Sequence, residues 1–277
     1  MLRRNPRRWS GELLKHAVLL GLLFFVFFPF YTMVVISLKD NAQMLENPWA
    51  PTWPLHWENY AVAFRQVAPY VLNTVVVAVA TMFGTLLVAS LSAYAFGRYR
   101  FPGSGVLFLM VVVLMMIPGV LNLVPSFVLV KELGLLNTYW VLVLPAIAGG
   151  QVTAIFILRT FIREIPQEIF ESAAIDGASE LRMYWHIALP LCRPILATLA
   201  ILTLLAMWND YVWPLVTLDK ESLFTVTIGL AYLTGAHSTD WGPLMAGYVL
   251  CALPIVVLFF FAMRLFVQGL ASGAIKA

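Results

Sequence analysis

The stretch ESAAIDGASELRMYWHIALP, residues 171–190, carries four charged side chains in a chain of which only 11% is charged. Long apolar segments lie on both sides of it. The 277-residue chain is 61% hydrophobic, whereas soluble domains are roughly 45 to 50% apolar and about 25% charged. This composition predicts an integral membrane protein, in which the polar stretch lies outside the hydrocarbon core.

Six apolar runs are long enough to cross a membrane, because a spanning helix needs about 20 mainly apolar residues. They cover approximately residues 17–38, 71–96, 105–129, 139–159, 195–216 and 243–266. A transmembrane barrel would instead show short segments of alternating hydrophobicity. We therefore predict an all-α integral membrane protein with six transmembrane helices, and we treat residues 1–277 as a single transmembrane domain.

The basic residues predict the orientation, since arginine and lysine collect in cytoplasmic loops. If the N-terminus is inside, only four of the 17 basic residues fall outside. Those four are Lys39, Arg65, Lys131 and Lys220. Both termini are then cytoplasmic, and so is the connection that contains residues 171–190. The net charge of +3 reflects this topology and does not indicate nucleic-acid binding.

The longest inner connection, about residues 160–194, predicts two short helices. Pro166 suits the first turn of a helix, and Gly177 offers the left-handed conformation that often ends one. A second helix is expected to start at Ser179, a good N-cap, and to stop before Pro190. An amphipathic segment lying on the lipid headgroups is one interpretation. Close contact with another protein is the other, because the first helix carries several small residues.

A spaced pattern runs through this connection: Glu, two small residues, three of any kind, Gly, nine of any kind, Ile, one of any kind, Leu and Pro. The residues are Glu171, Ser172, Ala173, Gly177, Ile187, Leu189 and Pro190, with Ser172 where alanine is more usual. The pattern resembles the signature loop of permease subunits of binding-protein-dependent ABC importers. The segment AMWNDYVWPL, residues 206–215, and the tail VQGLASGAIKA, residues 267–277, are similar to those of the six-span permease of the maltose-type carbohydrate branch.

The resemblance covers essentially the whole chain and implies a cytoplasmic coupling helix, between transmembrane helices 4 and 5, that docks on an ATPase. The residues it implicates in ATPase coupling are Glu171, Ser172, Ala173, Ala174, Asp176, Gly177 and Ala178. It further implies a second homologous permease subunit as a heterodimer partner, an ABC ATPase dimer, an extracytoplasmic solute-binding protein and a small-molecule sugar substrate. The implied location is the cytoplasmic (inner) membrane of a bacterium or archaeon.

ATP is expected on a partner chain. A phosphate-cradling loop needs Gly-Lys followed by Ser or Thr, and none of the five lysines follows a glycine. We therefore expect ATP and Mg²⁺ on the partner ATPase, and no catalytic residue, cofactor or metal in this chain. Cys192 and Cys251 are expected to be packing residues, because two cysteines supply too few soft ligands for a metal site.

Two other classes of protein are disfavoured. An ion-coupled secondary transporter would carry ionisable relays inside its spans, but only Asp210 of the 14 acidic residues falls within one. A membrane-embedded enzyme would need a catalytic motif, and the chain contains neither HExxH nor GxSxG. The solute stays open among disaccharides, longer oligosaccharides, polyols and glycerol phosphodiesters.

Polar and aromatic residues at mid-membrane depth are candidates for the translocation path. They are Asn122, Gln151, Trp208, Asn209, Asp210 and Tyr211. Such residues are tolerated where they line a cavity, but they also hold spans together. Asp210 has three possible environments: a wet cavity, the partner permease, or backbone groups at a helix break. The outer loop, about residues 39–70, is either an interfacial helix or part of the surface that receives the binding protein.

Overall fold

The computed structural model describes residues 6–236 and 240–274, and within these ranges every regular element is helical. The all-α prediction is therefore confirmed. The last three residues of the tail 267–277 lie outside the described residues. The α-helices are α1 (Pro6–Ser37), α2 (Asn41–Glu46), α3 (Glu58–Arg98), α4 (Ser104–Met115), α5 (Leu123–Glu132), α6 (Trp140–Glu164), α7 (Gln167–Ile175), α8 (Glu180–Met183), α9 (Leu189–Leu191), α10 (Arg193–Asn209), α11 (Val212–Thr217), α12 (Val226–Ala236) and α13 (Trp241–Ala274).

Among the residues that the structure describes, four helical segments are long and apolar enough to cross a membrane. They are Lys15–Ser37, Glu58–Arg98, Trp140–Glu164 and Trp241–Phe260. The number rises to six if each of two bent helix pairs counts as one span. Length and composition alone thus support between four and six spans.

The third expected span, residues 105–129, is interrupted near Pro118. The helix α4 ends at Met115, and the chain resumes with a 3₁₀ turn at Gly119 at an angle of 96°. Pro118 explains the break, because proline has no N–H to donate and disfavours the α conformation in the residue before it. Pro118 itself is extended, with ψ of 126°.

The fifth expected span, residues 195–216, is also interrupted. The helix α10 ends at Asn209, Asp210 is extended with ψ of 123°, and α11 follows from Val212. The preceding segment Glu180–Leu191 meets α10 at 76°. A side chain that bonds to nearby backbone competes with helical hydrogen bonds. The Asp210 carboxylate accepts such a bond from the backbone N–H of Trp213. The polar residue therefore coincides with the helix break.

The chain divides into two compact units, one of residues up to 68 with 230–253 and one of residues 69–229 with those from 254 onward. The first unit holds the outer loop around Lys39, whose side chain is only 1% exposed. Its ammonium donates to the carbonyl oxygens of Asn47 and Ala50. Burial lowers the Lys39 pKa. Helix α3 begins at Glu58, inside the predicted outer loop of about residues 39–70. Treating the chain as a single domain stays a prediction.

In the second unit α3 packs closely on α6. A Cβ added at Gly84 would lie 2.2 Å from Cδ1 of Ile147, and one added at Gly97 would lie 2.9 Å from Cγ2 of Ile162. Small residues of this kind let membrane helices approach each other. The buried core of this unit continues from α3 and α6 into the connection after α6, which places that connection firmly against the helix ends.

Candidate functional site

The quoted stretch lies on two short helices joined by a tight turn. After α7, the N–H of Gly177 donates to the carbonyl of Ala174 at 3.0 Å, and the N–H of Ala178 donates to that of Ala173 at 2.9 Å. This pair of bonds is a Schellman motif, which requires a left-handed residue. Gly177 supplies it with φ of 78°, as predicted.

The second helix begins where it was expected but ends later. The Ser179 hydroxyl caps α8 by accepting a bond from the N–H of Arg182 at 3.4 Å, which confirms the predicted N-cap. The helix was predicted to stop before Pro190, and this is wrong: a π-helical turn over Tyr184–Ala188 leads directly into α9. Pro190 lies in the first turn of α9, where its missing N–H is tolerated.

The inner face of the connection is buried against α3 and α6. Phe170 of α7 is 2% exposed and belongs to one core cluster with Ala93 and Leu158. The guanidinium of Arg98 lies over the Phe170 ring, 3.7 Å from its centroid. The Tyr184 hydroxyl lies 2.7 Å from that of Ser90 in a buried hydrogen bond. The connection is therefore attached to the helices and does not rest loosely beside them.

The outer face of the connection exposes several large apolar side chains among its charged and polar residues. Ile175 is 87% exposed, and Leu181 and Trp185 are also exposed. Exposed apolar patches of this kind mark contact surfaces for proteins or membranes. Of the residues predicted to couple to an ATPase, Glu171, Ser172, Ala174, Asp176 and Gly177 are exposed, and Ala173 and Ala178 are half-buried. The fold brings all seven together, and their role in coupling stays a prediction.

Two tyrosines at this site escaped the sequence reasoning. The hydroxyl of Tyr94, near the end of α3, donates to the Glu180 carboxylate at 3.3 Å, and Tyr99 donates to the same carboxylate. Burial, followed by the bond to Glu180, raises the pKa of the Tyr99 phenol. The segment AYAFGRYR, residues 93–100, is aromatic and basic, but this pattern does not indicate which loop it meets.

The candidates for the translocation path are spread over several places in the second unit. Asn122 lines a cavity of about 690 Å³ together with Gly149. Trp208 lines a different and smaller cavity of about 170 Å³, beside Pro254. Gln151 is half-buried, Asn209 is exposed and donates to its own helix at Leu205, and Tyr211 is exposed. Asn122 and Trp208 therefore do not share a cavity, and the path stays a prediction.

Asp210 makes bonds that fit one of its three possible environments. Its carboxylate accepts a hydrogen bond from the backbone N–H of Trp213 in the first turn of α11. Its carbonyl oxygen accepts a bond from the Thr227 hydroxyl. The side chain is half-buried. These contacts support the interpretation that Asp210 satisfies backbone groups at a helix break.

In the described ranges every regular element is helical, several helices are long and apolar enough to span a membrane, and a two-helix connection is partly exposed. Residues 89–272 match the family model described as a binding-protein-dependent transport system inner membrane component. The chain belongs to this family. It is a permease subunit of a binding-protein-dependent ABC importer in the inner membrane, as the signature pattern indicated.

Several relatives are similar over nearly their whole length. The probable ABC transporter permease protein YurM of Bacillus subtilis is 33% identical, covering 98% of this chain and 92% of that protein. The arabinooligosaccharides transport system permease protein AraQ of Halalkalibacterium halodurans is 33% identical, with coverage of 98% and 99%. The sn-glycerol-3-phosphate transport system permease protein UgpE of Yersinia pestis is 32% identical, with coverage of 93% and 95%.

A solved structure shares the fold. A crystal structure of a bacterial ABC transporter involved in the import of the acidic polysaccharide alginate contains a chain with a TM-score of 0.80 to this one. The match covers 95% of this chain and 99% of that chain at 21% identity. At this identity the similarity concerns the fold.

Proposed function

We propose that this permease subunit translocates a carbohydrate or a related polyol, driven by ATP hydrolysis on a separate ATPase. The proposal on the solute is supported by the arabinooligosaccharide relative, which is similar along almost its entire length. The glycerol-3-phosphate relative is almost as similar, so a glycerol phosphodiester or monoester is the second candidate solute. Both candidates are small molecules rich in hydroxyl groups.

The observation that carries the proposed coupling is the two-faced connection between α6 and α10. Its inner face is buried around Phe170, and its outer face exposes Ile175 beside the predicted coupling residues. In the proposed topology of six spans with both termini inside, this connection faces the cytoplasm. It would then form the coupling loop, about residues 160–194, which docks on the ATPase and follows its opening and closing.

The proposed assembly contains this chain, a second homologous permease, an ABC ATPase dimer and an extracytoplasmic solute-binding protein. The family description, binding-protein-dependent, supports the last of these partners. The broad apolar surface at the break between α4 and α5, where Met116 and Val120 are strongly exposed, fits contact with the second permease or with lipid. ATP and Mg²⁺ would be held by the ATPase, and this chain would carry no cofactor.

The identity of the solute is tested with the intact complex. The complex is purified with its binding protein, reconstituted, and given a panel of disaccharides, oligosaccharides, polyols, glycerol-3-phosphate and glycerophosphodiesters. We expect an oligosaccharide or disaccharide to raise ATPase activity and to be taken up. Stimulation by the glycerol phosphates alone would replace the sugar by the second candidate.

The energy source needs a separate test, because an ion-coupled mechanism predicts a different requirement. Uptake into vesicles is measured with ATP inside and an ionophore present, and then with an ion gradient and no ATP. We expect uptake only in the first condition. Uptake driven by the gradient alone would contradict the ATP-driven mechanism.

A further inference from the structure

Three side chains join the coupling loop to the inner end of α3. Tyr94 and Tyr99 donate their hydroxyls to the carboxylate of Glu180, which is the first residue of α8. We call these three residues the latch. Two donors on one carboxylate fix its position better than one, because a single hydrogen bond leaves the side chain free to rotate about it.

The latch is one of two attachments, and the second holds the other helix of the loop. On α7 the buried Phe170 packs beneath the Arg98 guanidinium, with the Tyr94 ring at 6.3 Å between centroids. The rings of Tyr94 and Tyr184 lie 5.4 Å apart edge to face. Both short helices are thus fixed to the same end of α3, so the loop cannot turn relative to α3 without breaking one of these contacts.

About six turns before Tyr94, α3 is hydrogen-bonded to the segment that follows α11. The amide of Asn73 donates to the carbonyl oxygens of Ser222 and Phe224, at 2.9 and 3.0 Å. The Thr74 hydroxyl accepts from the N–H of Val226 at 2.8 Å. From Asn73 to Tyr94 the helix rises by about 32 Å at 1.5 Å per residue, close to the thickness of the hydrocarbon core.

We propose that Glu180 is a positioning residue which, through the latch, makes α3 the lever that carries movement of the coupling loop across the membrane to residues 221–226. The inference rests on the proposed function, since it assumes that the loop moves with an ATPase. Glu180 touches neither solute nor nucleotide in this scheme. It acts by keeping the loop and α3 together during each cycle.

The chemistry of the latch suits a permanent connection better than a switch. Burial raises the pKa of the Tyr99 phenol, so the hydroxyl keeps its proton and remains a donor at neutral pH. The carboxylate is the acceptor that phenol donors bind most strongly, since hydrogen bonds to charged groups exceed those between neutral groups. An amide at position 180 would keep the shape and one acceptor oxygen but lose the charge.

The test uses Tyr99→Phe, Glu180→Gln and the double variant in the complete complex with its binding protein. Solute-stimulated ATP hydrolysis and solute uptake are measured together, which gives the amount of solute moved per ATP. We expect each single variant to lower this ratio by about tenfold, the equivalent of one hydrogen bond to a charged group, while ATP hydrolysis continues. The double variant should fall by less than the product of the two single losses, because both changes weaken the same hydrogen bond between Tyr99 and Glu180.

Two controls distinguish loss of the connection between the coupling loop and α3 from a general disruption of the coupling loop. Glu132→Gln removes an exposed carboxylate from the last turn of α5, outside the coupling loop, and should leave the ratio unchanged. Tyr94→Phe removes a hydrogen bond of 3.3 Å, which is long for a hydroxyl donor, and should lower the ratio less than Tyr99→Phe. Co-purification of the ATPase with each variant shows that the loop still folds and docks.

The outcomes distinguish the latch from the function on which it rests. If the parent complex takes up solute with ATP but Glu180→Gln moves as much solute per ATP as the parent, the latch proposal is overturned alone. It is also overturned if the losses of the two single variants multiply in the double variant, because the two residues would then act independently. A parent complex without ATP-dependent uptake would overturn the proposed function as well.

Discussion

Gly177 offers the sharpest test of the turn between the two loop helices. Its φ of 78° lies in the left-handed region, and a Cβ added there meets no atom within 4 Å. The substitution Gly177→Val therefore places its Cβ in open space, and its main cost is the backbone conformation. For a residue with a side chain that cost is about 1 to 2 kcal/mol, and a β-branched residue is particularly unsuited to this region.

This energy is enough to displace the turn without unfolding the membrane helices. A cost of 1 to 2 kcal/mol changes the population of the native turn by a factor of about 5 to 30. The Schellman bonds from Gly177 and Ala178 would then break, and the relative position of α7 and α8 would change. We expect membrane insertion to remain normal and the solute moved per ATP to fall by a similar factor.

Gly134 provides a matched control. It has φ of 68° and open space around its added Cβ, but it follows α5, far from the coupling loop in sequence. Gly134→Val carries the same type of local strain as Gly177→Val, so the two variants should lower thermal stability by similar amounts. Gly134→Val should nevertheless leave the amount of solute moved per ATP unchanged. Equal ratios for the two variants in purified complexes would refute the reasoning that the Gly177 turn is part of the coupling element.

Three further predictions concern other parts of the chain. Asp210→Asn should retain substantial transport with unchanged pH dependence, because the amide oxygen can still accept a hydrogen bond from the Trp213 N–H. If uptake by the parent depends on pH and uptake by the variant does not, Asp210 is a titrating proton site. Lys39→Met should lower the free energy of unfolding by about 1 to 3 kcal/mol in thermal denaturation, because two carbonyl oxygens lose their donor, and an unchanged midpoint would show that the bonds contribute little. A cysteine at the exposed Leu45 should react with an impermeant thiol reagent on intact cells and one at Ile175 should not; the reverse pattern would overturn the orientation.

Local features of the coupling loop could be read from the sequence because their signals are short-range. A left-handed glycine after a helix and a serine before the next helix depend on the backbone within a few residues. Gly177 and Ser179 both have these roles in the structure. Apolar run length likewise located the four long apolar helices, whereas the third run, which contains Pro118, is a bent pair. Whether a proline kinks or breaks a helix depends on what packs around it, which periodicity does not reveal.

Contacts between distant segments could not be predicted in this way. The bond from Tyr94 to Glu180 joins residues 86 positions apart, and a single sequence carries no signal for which spans meet. The translocation-path candidates illustrate the same limit. Depth in the membrane placed Asn122 and Trp208 at similar levels, but depth does not determine the direction of a side chain around the helix axis, and the two line different cavities.

Photo-crosslinking from position 175 measures the central claim most directly. Ile175 is 87% exposed at the tip of α7, so a photoreactive residue there leaves the buried face of the loop untouched. In the intact complex we predict a crosslink to the ATPase subunit whose yield changes when ATP is added, whereas a probe at the exposed Leu133 should give none. Crosslinks from position 175 only to lipid or to the second permease, in a complex that retains its ATPase, would contradict the assignment of this loop as the coupling element.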